Sequence, residues 1–296
     1  MTTAFAGGLD SLLYRPHRFY RGYLFDLDGT IYLGKELLPG AREMVARLRE
    51  TDSKVVFLSN NPTRDPQMYV DKLTSLGIPT ALPEILNTVV TMTDWLLEHT
   101  PQKKIFVIGE EPLKTALVAA GLTLTEDARE VDVVVASYDR TFDYRKLQIA
   151  FDALAVYRRA ILVTTNPDVF CPFPGGHGEP DAGAIVAAIE ACTGAKCQVN
   201  AGKPDKLMLE TAMRQIGLTP GECLMVGDRL STDIAMGVAA GMDTALVLTG
   251  ETTLPLLAAS DLRPTYVLRG VHELLPDDPR AFGAAADADA HLQSIE

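Results

Sequence analysis

The residues best equipped for chemistry stand early in the chain, in the run Asp26-Leu27-Asp28-Gly29-Thr30, directly after the apolar segment Tyr23-Leu24-Phe25. Two carboxylates two residues apart, followed by glycine, suit the point where a strand turns into a loop. Such a turn can hold a divalent cation, present a carboxylate as a nucleophile toward phosphorus and let backbone N–H groups approach an anion. The run by itself leaves the choice open, because D-x-D-G also builds calcium loops and the metal sites of nucleotide-sugar enzymes.

Three later segments narrow it. Ser59 closes the apolar run Val55-Val56-Phe57-Leu58, Lys203 stands in Gly202-Lys203-Pro204, and a second acidic stretch reads Gly227-Asp228-Arg229-Leu230-Ser231-Thr232-Asp233. Asp26, Ser59 and Asp228 each fall at the carboxyl end of a predicted strand, where open α/β sheets place their ligands. With Asp26 as nucleophile, hydrolysis of a phosphomonoester divides into formation and breakdown of an aspartyl phosphate. Asp28 can face the same crevice, protonate the leaving alcohol and then activate water. Ser59 and Asn60 offer a hydroxyl and N–H groups to the phosphoryl oxygens, and Gly29 lets the backbone come close. Two anions must meet in this reaction, and Lys203 with Mg²⁺ supplies the compensating charge.

Taken singly, each residue has an ordinary structural explanation as well. Asp28 and Asp233 suit turns or helix caps, Ser59 suits a hydroxyl that ties down a loop, and Lys203 suits a solvated charge at a helix start. Phosphoryl transfer is the reading that accounts for all of them together.

The elements that must position these residues follow a simple pattern. Short runs rich in valine and isoleucine alternate with amphipathic stretches of helical length, which predicts an α/β fold with a Rossmann-like parallel sheet. Core strands are predicted at 23–27, 55–59, 223–227 and 244–248, and helices at 41–50, 206–216 and 234–240. Between the second and third strands lies a long segment with strands of its own at 105–108, 131–136 and 161–165, and helices near 113–120 and 144–157. A segment of that size can bury its own core. The expected organisation is therefore a core domain from 1–100 plus 199–280, an inserted α/β cap domain from 101–198, and a low-complexity tail at 281–296 read as a frayed end. Both joins fall in polar, turn-forming sequence and suit a hinge that closes the site against water.

Composition sets limits on partners. The 296 residues are 47% hydrophobic and 22% charged, with a formal net charge of −12 and no lysine- or arginine-rich block, so nucleic acid is not an expected partner. An acidic chain must attract a phosphate ester locally, through a lysine, backbone N–H groups and a metal. The four cysteines, Cys171, Cys192, Cys197 and Cys223, show no C-x-x-C spacing and read as reduced thiols in the cytoplasm. No window approaches the roughly 18 apolar residues of a membrane helix, so no membrane partner is expected.

In this order and on these element ends, the four segments resemble the haloacid dehalogenase-like (HAD) hydrolase superfamily, most of whose members are Mg²⁺-dependent phosphatases. The resemblance runs from about Gly22 to about Val267. A large cap inserted between Ser59 and Lys203 is similar to subclass IIA, the capped phosphatases of the NagD and AraL types. It implies that Asp228 binds Mg²⁺ directly with Asp26 and the main-chain carbonyl of Asp28, while Asp233 supports the ion from outside its ligand shell. Further likeness lies in Thr165-Asn166-Pro167-Asp168 and in Pro180-Asp181-Ala182-Gly183-Ala184-Ile185, where an aspartate at 181 looks closest to the sugar-phosphatase branch. The loop Phe170-Cys171-Pro172-Phe173-Pro174-Gly175-Gly176-His177 is expected to reach the leaving group, where its two aromatics and His177 either stack on and hydrogen-bond a polyol or serve the packing of the loop itself. The implied protein is a homodimer paired through its caps that hydrolyses a small phosphorylated metabolite, preferably a sugar or polyol phosphate. The alternatives are phosphoglycolate or glycerol phosphate, nucleotides or pyridoxal phosphate. A protein of another class, a non-catalytic sensor of a phosphometabolite, would fit loss of one of these site residues better than their presence.

Overall fold

The structure, a computed structural model, describes residues 8–173 and 176–276. The tail at 281–296, and Pro174 and Gly175 of the 170–177 loop, lie outside the described residues. After a 3₁₀ turn at Leu9–Leu12 come β1 (Gly22–Asp26), the short pair β2 (Tyr32–Leu33) and β3 (Glu36–Leu37), α1 (Ala41–Glu50), β4 (Lys54–Ser59), α2 (Pro66–Ser75), β5 (Ile85–Asn87) and α3 (Thr88–His99). Next come β6 (Lys104–Ile108), α4 (Glu111–Ala119), β7 (Thr123–Leu124), β8 (Val133–Ala136), α5 (Tyr144–Phe151) and β9 (Ile161–Thr164). The hairpin strands β10 (Phe170–Phe173) and β11 (His177–Pro180), α6 (Ala182–Thr193) and β12 (Cys197–Asn200) follow. The last part holds α7 (Lys206–Ile216), β13 (Cys223–Gly227), α8 (Ala235–Ala239), β14 (Asp243–Val247), α9 (Leu254–Ala259) and β15 (Tyr266–Leu268).

Two compact units result. Of the described residues, the first takes those within 8–58, 71–85 and 212–276, and the second those within 59–70 and 86–211. The six-stranded sheet runs β15-β14-β13-β1-β4-β5, with β15, β14, β13, β1 and β4 parallel. Its order reverses at β1, which has β4 on one side and β13 on the other. That is a topological switch point, the place where two successive crossovers leave in opposite directions and open a crevice above the strand ends. The central strands carry no alternation of polar and apolar residues because both faces are covered: Tyr23, Leu24 and Phe25 of β1 and all of β13 are buried. Helix α1 buries one stripe, Ala41, Met44, Val45 and Leu48, at the spacing of a single helical face.

The second unit is organised around a five-stranded sheet in the order β12-β9-β8-β6-β7, parallel throughout. Side chains of successive residues in its strands divide between two cores, as a period of two requires. Ile105, Val107, Val133, Val135 and Val163 pack with Val89, Met92 and Leu96 of α3 and with Leu113 and Leu117 of α4. Phe106, Ile108, Val134, Ala136 and Leu162 pack on the other face with Ile149 and Ala150 of α5 and Ile185 and Ile189 of α6. The expected strands and helices recur within a few residues, while the stretch 170–177 departs from its expected loop: Phe170 to Phe173 pair antiparallel with His177 to Pro180.

Leu162→Ala, which removes a fully buried side chain from the second of these cores, should cost about 2–5 kcal/mol of stability, read as a lower urea midpoint in circular dichroism.

Candidate active site

The acidic residues converge at the switch point. Strands β1 and β13 are in register with Phe25 opposite Val226, so the two chains leave the sheet one and two residues later, at Asp26 and Asp228. After Asp228 the chain enters one wide, π-type turn, Leu230–Ile234, which continues into α8 and brings Asp233 back over the strand end. One carboxylate oxygen from each of Asp26, Asp228 and Asp233 lies within 4.8 Å of the other two, and Asp228 and Asp233 are buried. Strand β4 reaches the same edge of the sheet, with Leu58 in register with Asp26 and Ser59 as its last residue.

Backbone donors and close approaches hold these carboxylates. Asp228 Oδ2 accepts the Glu251 N–H at 2.7 Å, and Asp233 Oδ2 accepts the Arg229 N–H at 3.1 Å. The Arg229 guanidinium pairs with Glu251 at 2.9 Å, joining the loops after β13 and β14. Gly29 has φ of 84°, a conformation that side-chain-bearing residues rarely adopt, and a Cβ there would sit 2.8 Å from Asp228 Oδ2. Gly250 approaches closer still, since its Cβ would lie 2.0 Å from the same oxygen. Thr249 Oγ1 donates to the Gly29 carbonyl at 2.6 Å, tying the β14 loop to the turn after β1. That turn is itself closed by three N–H groups, of Thr30, Ile31 and Tyr32, on the Leu27 carbonyl, with the Gly29 N–H returning to Tyr32 O at 2.8 Å. Asp28 sits in it with an exposed side chain. The Thr249-Gly250-Glu251 loop was not anticipated from the sequence. Its available signal was a glycine and hydroxyl residues directly after the apolar run 244–248, at a strand's carboxyl end like Asp26 and Asp228.

The donor set fits a hard divalent cation. The clustered side-chain donors are all carboxylate oxygens, which suit Mg²⁺ or Ca²⁺ rather than zinc. Two oxygens of one Mg²⁺ shell lie about 3–4 Å apart when each is about 2.1 Å from the ion, a spacing compatible with the Asp26 and Asp228 oxygens, which lie within 4.8 Å of each other.

The remaining predicted site residues belong to the second unit. Ser59 is buried, with its hydroxyl 2.9 Å from the Tyr69 hydroxyl and accepting the Asn61 N–H. Lys203 is buried, and the side-chain amide of Asn60 brackets its backbone: Lys203 N–H donates to Asn60 Oδ1 at 2.8 Å, and Asn60 Nδ2 donates to Lys203 O at 3.0 Å. The Asn60 amide is thus engaged with Lys203, and what it leaves for an anion is backbone. His177 is exposed on β11, in register with Phe173. The hairpin that carries it is anchored through Glu179, which accepts a hydrogen bond from the Tyr138 hydroxyl and one from Arg140 Nε at 2.7 Å, while Arg140 also pairs with Glu110 at 2.9 Å. The Tyr138 and Arg140 bonds hold the Glu179 carboxyl below its ordinary range, and burial, then the bond to Glu179, push the Tyr138 phenol up.

No helix among the described residues is long and apolar enough to cross a membrane. All four cysteines are unbridged.

Comparison with known proteins agrees with this geometry. The family model described as haloacid dehalogenase-like hydrolase matches residues 23–123, and one described as HAD-hydrolase-like matches residues 200–274. An acid sugar phosphatase of Staphylococcus aureus (strain MRSA252) is 34% identical over 258 residues, which cover 87% of this chain and 98% of the relative. The crystal structure of a 4-nitrophenylphosphatase from Thermotoga maritima is similar with a TM-score of 0.81 at 35% identity, covering 86% of this chain and 95% of that one. A p-nitrophenyl phosphatase from Archaeoglobus fulgidus also gives 0.81, at 31% identity over 87% of this chain and 98% of that one. With the acidic cluster at the switch point of a Rossmann-like sheet, these matches place the chain in subclass IIA of the haloacid dehalogenase-like hydrolase superfamily, as a phosphoric monoester hydrolase.

Proposed function

We propose that this enzyme is a Mg²⁺-dependent phosphatase of small phosphorylated metabolites, with sugar and polyol phosphates as its preferred class, and that it works through an aspartyl phosphate, a mixed anhydride, at Asp26. The observation that carries the reading is the gathering of Asp26, Asp228 and Asp233 within 4.8 Å at the ends of adjacent parallel strands. The acid sugar phosphatase supports the sugar class, and the nitrophenyl phosphatases support action on a small phosphate monoester.

Asp26, Asp228 and the carbonyl of Asp28 would hold the ion, with Asp233 bracing the loop at Arg229. When bound, Mg²⁺ supplies positive charge that offsets the approach of an anionic ester to an anionic nucleophile. Asp26 attacks phosphorus through one carboxylate oxygen: the new O–P bond forms, the ester O–P bond breaks, and the leaving alkoxide takes a proton from Asp28. Asp28, now a carboxylate, removes a proton from water, which attacks the aspartyl phosphate and releases inorganic phosphate with Asp26 regenerated. Lys203 and the N–H groups around Ser59 and Asn60 neutralise the phosphoryl oxygens throughout. The β10–β11 hairpin, with Phe173 and His177, selects the leaving group. The same reading expects a cytoplasmic protein and pairing of two copies through the inserted unit.

Three results test this. Phosphate release from a panel of sugar, polyol, glycolate, glycerol and nucleotide phosphates should require Mg²⁺, stop with EDTA and vanish in Asp26→Asn with the fold retained; turnover by that variant would sink the mechanism. Gly250→Ala should lower kcat/KM about 100-fold for every ester, as expected for a misplacement near 1 Å, and raise the Mg²⁺ concentration for half-activity, with little change in Tm. His177→Ala should reorder the sugar phosphates more than it slows p-nitrophenyl phosphate hydrolysis; equal losses for all substrates would remove His177 from selection.

A further inference from the structure

We propose that Asp168, with Asn166 and Asp181 behind it, is the positioning system of Lys203 and acts through the amide of Asn60; this rests on the assignment of Lys203 to the phosphoryl charge. A lysine ammonium is a point charge on a flexible stem, so its usefulness at a reacting phosphate depends on where its backbone is held. Asn60 reads both the N–H and the carbonyl of Lys203 with one side chain, which fixes the position and the rotation of that residue together.

The bracket works in one orientation of the Asn60 amide only. Turned over, its oxygen would face the Lys203 carbonyl and its nitrogen the Lys203 N–H. Asp168 selects the working orientation: the second hydrogen of Asn60 Nδ2 goes to Asp168 Oδ2 at 3.0 Å, and a carboxylate can only accept. Asp168 is oriented in turn. Its Oδ2 also accepts from Asn166 Nδ2 at 3.1 Å, and the other hydrogen of that nitrogen goes to Asp181 Oδ1 at 3.1 Å. The Asn166 oxygen accepts from the Thr165 hydroxyl at 2.9 Å, so this fully buried amide has each of its groups directed. Asp181 Oδ1 ends the series by accepting the Ala182 N–H at 2.5 Å as the cap of α6.

The series therefore runs from a helix terminus, through alternating carboxylates and amides, to the Lys203 peptide. Charge-assisted bonds at the two carboxylates make it stiffer than a chain of neutral amides. The backbone beside the bracket is closely packed. A Cβ on Gly202 would meet both Asn60 Oδ1 and the Thr165 carbonyl at 2.8 Å. It also gives the segments 165–168 and 180–185 work that substrate contact does not explain.

A double-mutant cycle tests the proposal, with kcat/KM on p-nitrophenyl phosphate and the competitive Ki of inorganic phosphate measured for wild type, Asp168→Ala, Lys203→Met and the pair. Asp168→Ala should lower kcat/KM about 30-fold, within the range expected for misplacing a catalytic group, and weaken phosphate competition. In the Lys203→Met background the same change should alter kcat/KM less than about twofold, because its effect passes through the lysine. Asp168→Asn, which keeps an acceptor oxygen, should recover part of the loss, and it carries the cycle if circular dichroism shows Asp168→Ala unfolded. Equal fractional losses in both backgrounds, or no loss with Lys203 present, would overturn the proposal. Wild-type kcat/KM in Lys203→Met alone would instead overturn the role of Lys203 itself.

Discussion

Three carboxylates held within 4.8 Å of one another are the constraint from which the rest of the first unit follows. At about 4 Å and an effective dielectric near 20, each pair of full charges repels by roughly 4 kcal/mol. A cluster of that kind persists only where backbone donors fix it and a cation can offset it. Here Glu251 N–H and Arg229 N–H serve Asp228 and Asp233, Arg229 pairs with Glu251 across the two loops, and Thr249 closes the cradle onto Gly29. The two glycines that approach Asp228 are as necessary as the donors, since a side chain at either would stand in the space of its carboxylate.

The acidic cluster also explains why a chain with net charge −12 needs local rather than general attraction for an anionic ester. A carboxylate nucleophile and a phosphate repel at every distance. The proposed remedy is one metal and one buried lysine. A buried ammonium must be placed by its surroundings, and in the second unit the side-chain amide of Asn60 is spent on the Lys203 backbone. The order of the series, carboxylate to amide to peptide, lets each group fix the orientation of the next.

The second unit divides its work between a sheet and a hairpin. Valines and isoleucines of β6, β8 and β9 feed two cores. What projects is β10–β11, with Phe170, Phe173 and His177 exposed and Glu179 held by Tyr138 and Arg140. A rigid base under an exposed strand pair is how one scaffold can keep its chemistry while its selectivity varies.

The sequence by itself determined the class of fold and the chemistry-bearing residues. Runs such as 223–227 and stripes such as 41–50 are local signals, because burial on two faces or on one imposes its own period, and Asp26, Ser59 and Asp228 were legible as strand ends. Local spacing cannot report contacts made between distant segments. That Asp233 returns over β13 depends on one π-type turn, and that 170–180 forms a hairpin depends on Phe170–Phe173 pairing with His177–Pro180. The role of Thr249, Gly250 and Glu251 became visible only when β14 was laid beside β13. The linkage of Asp181 to Lys203 joins positions 22 residues apart in the chain through Asn60, still farther away, by hydrogen bonds that exist only once the second unit is folded. Tertiary structure decided these because a hydrogen bond or a close approach is a property of two surfaces, and the sequence displays each of them alone.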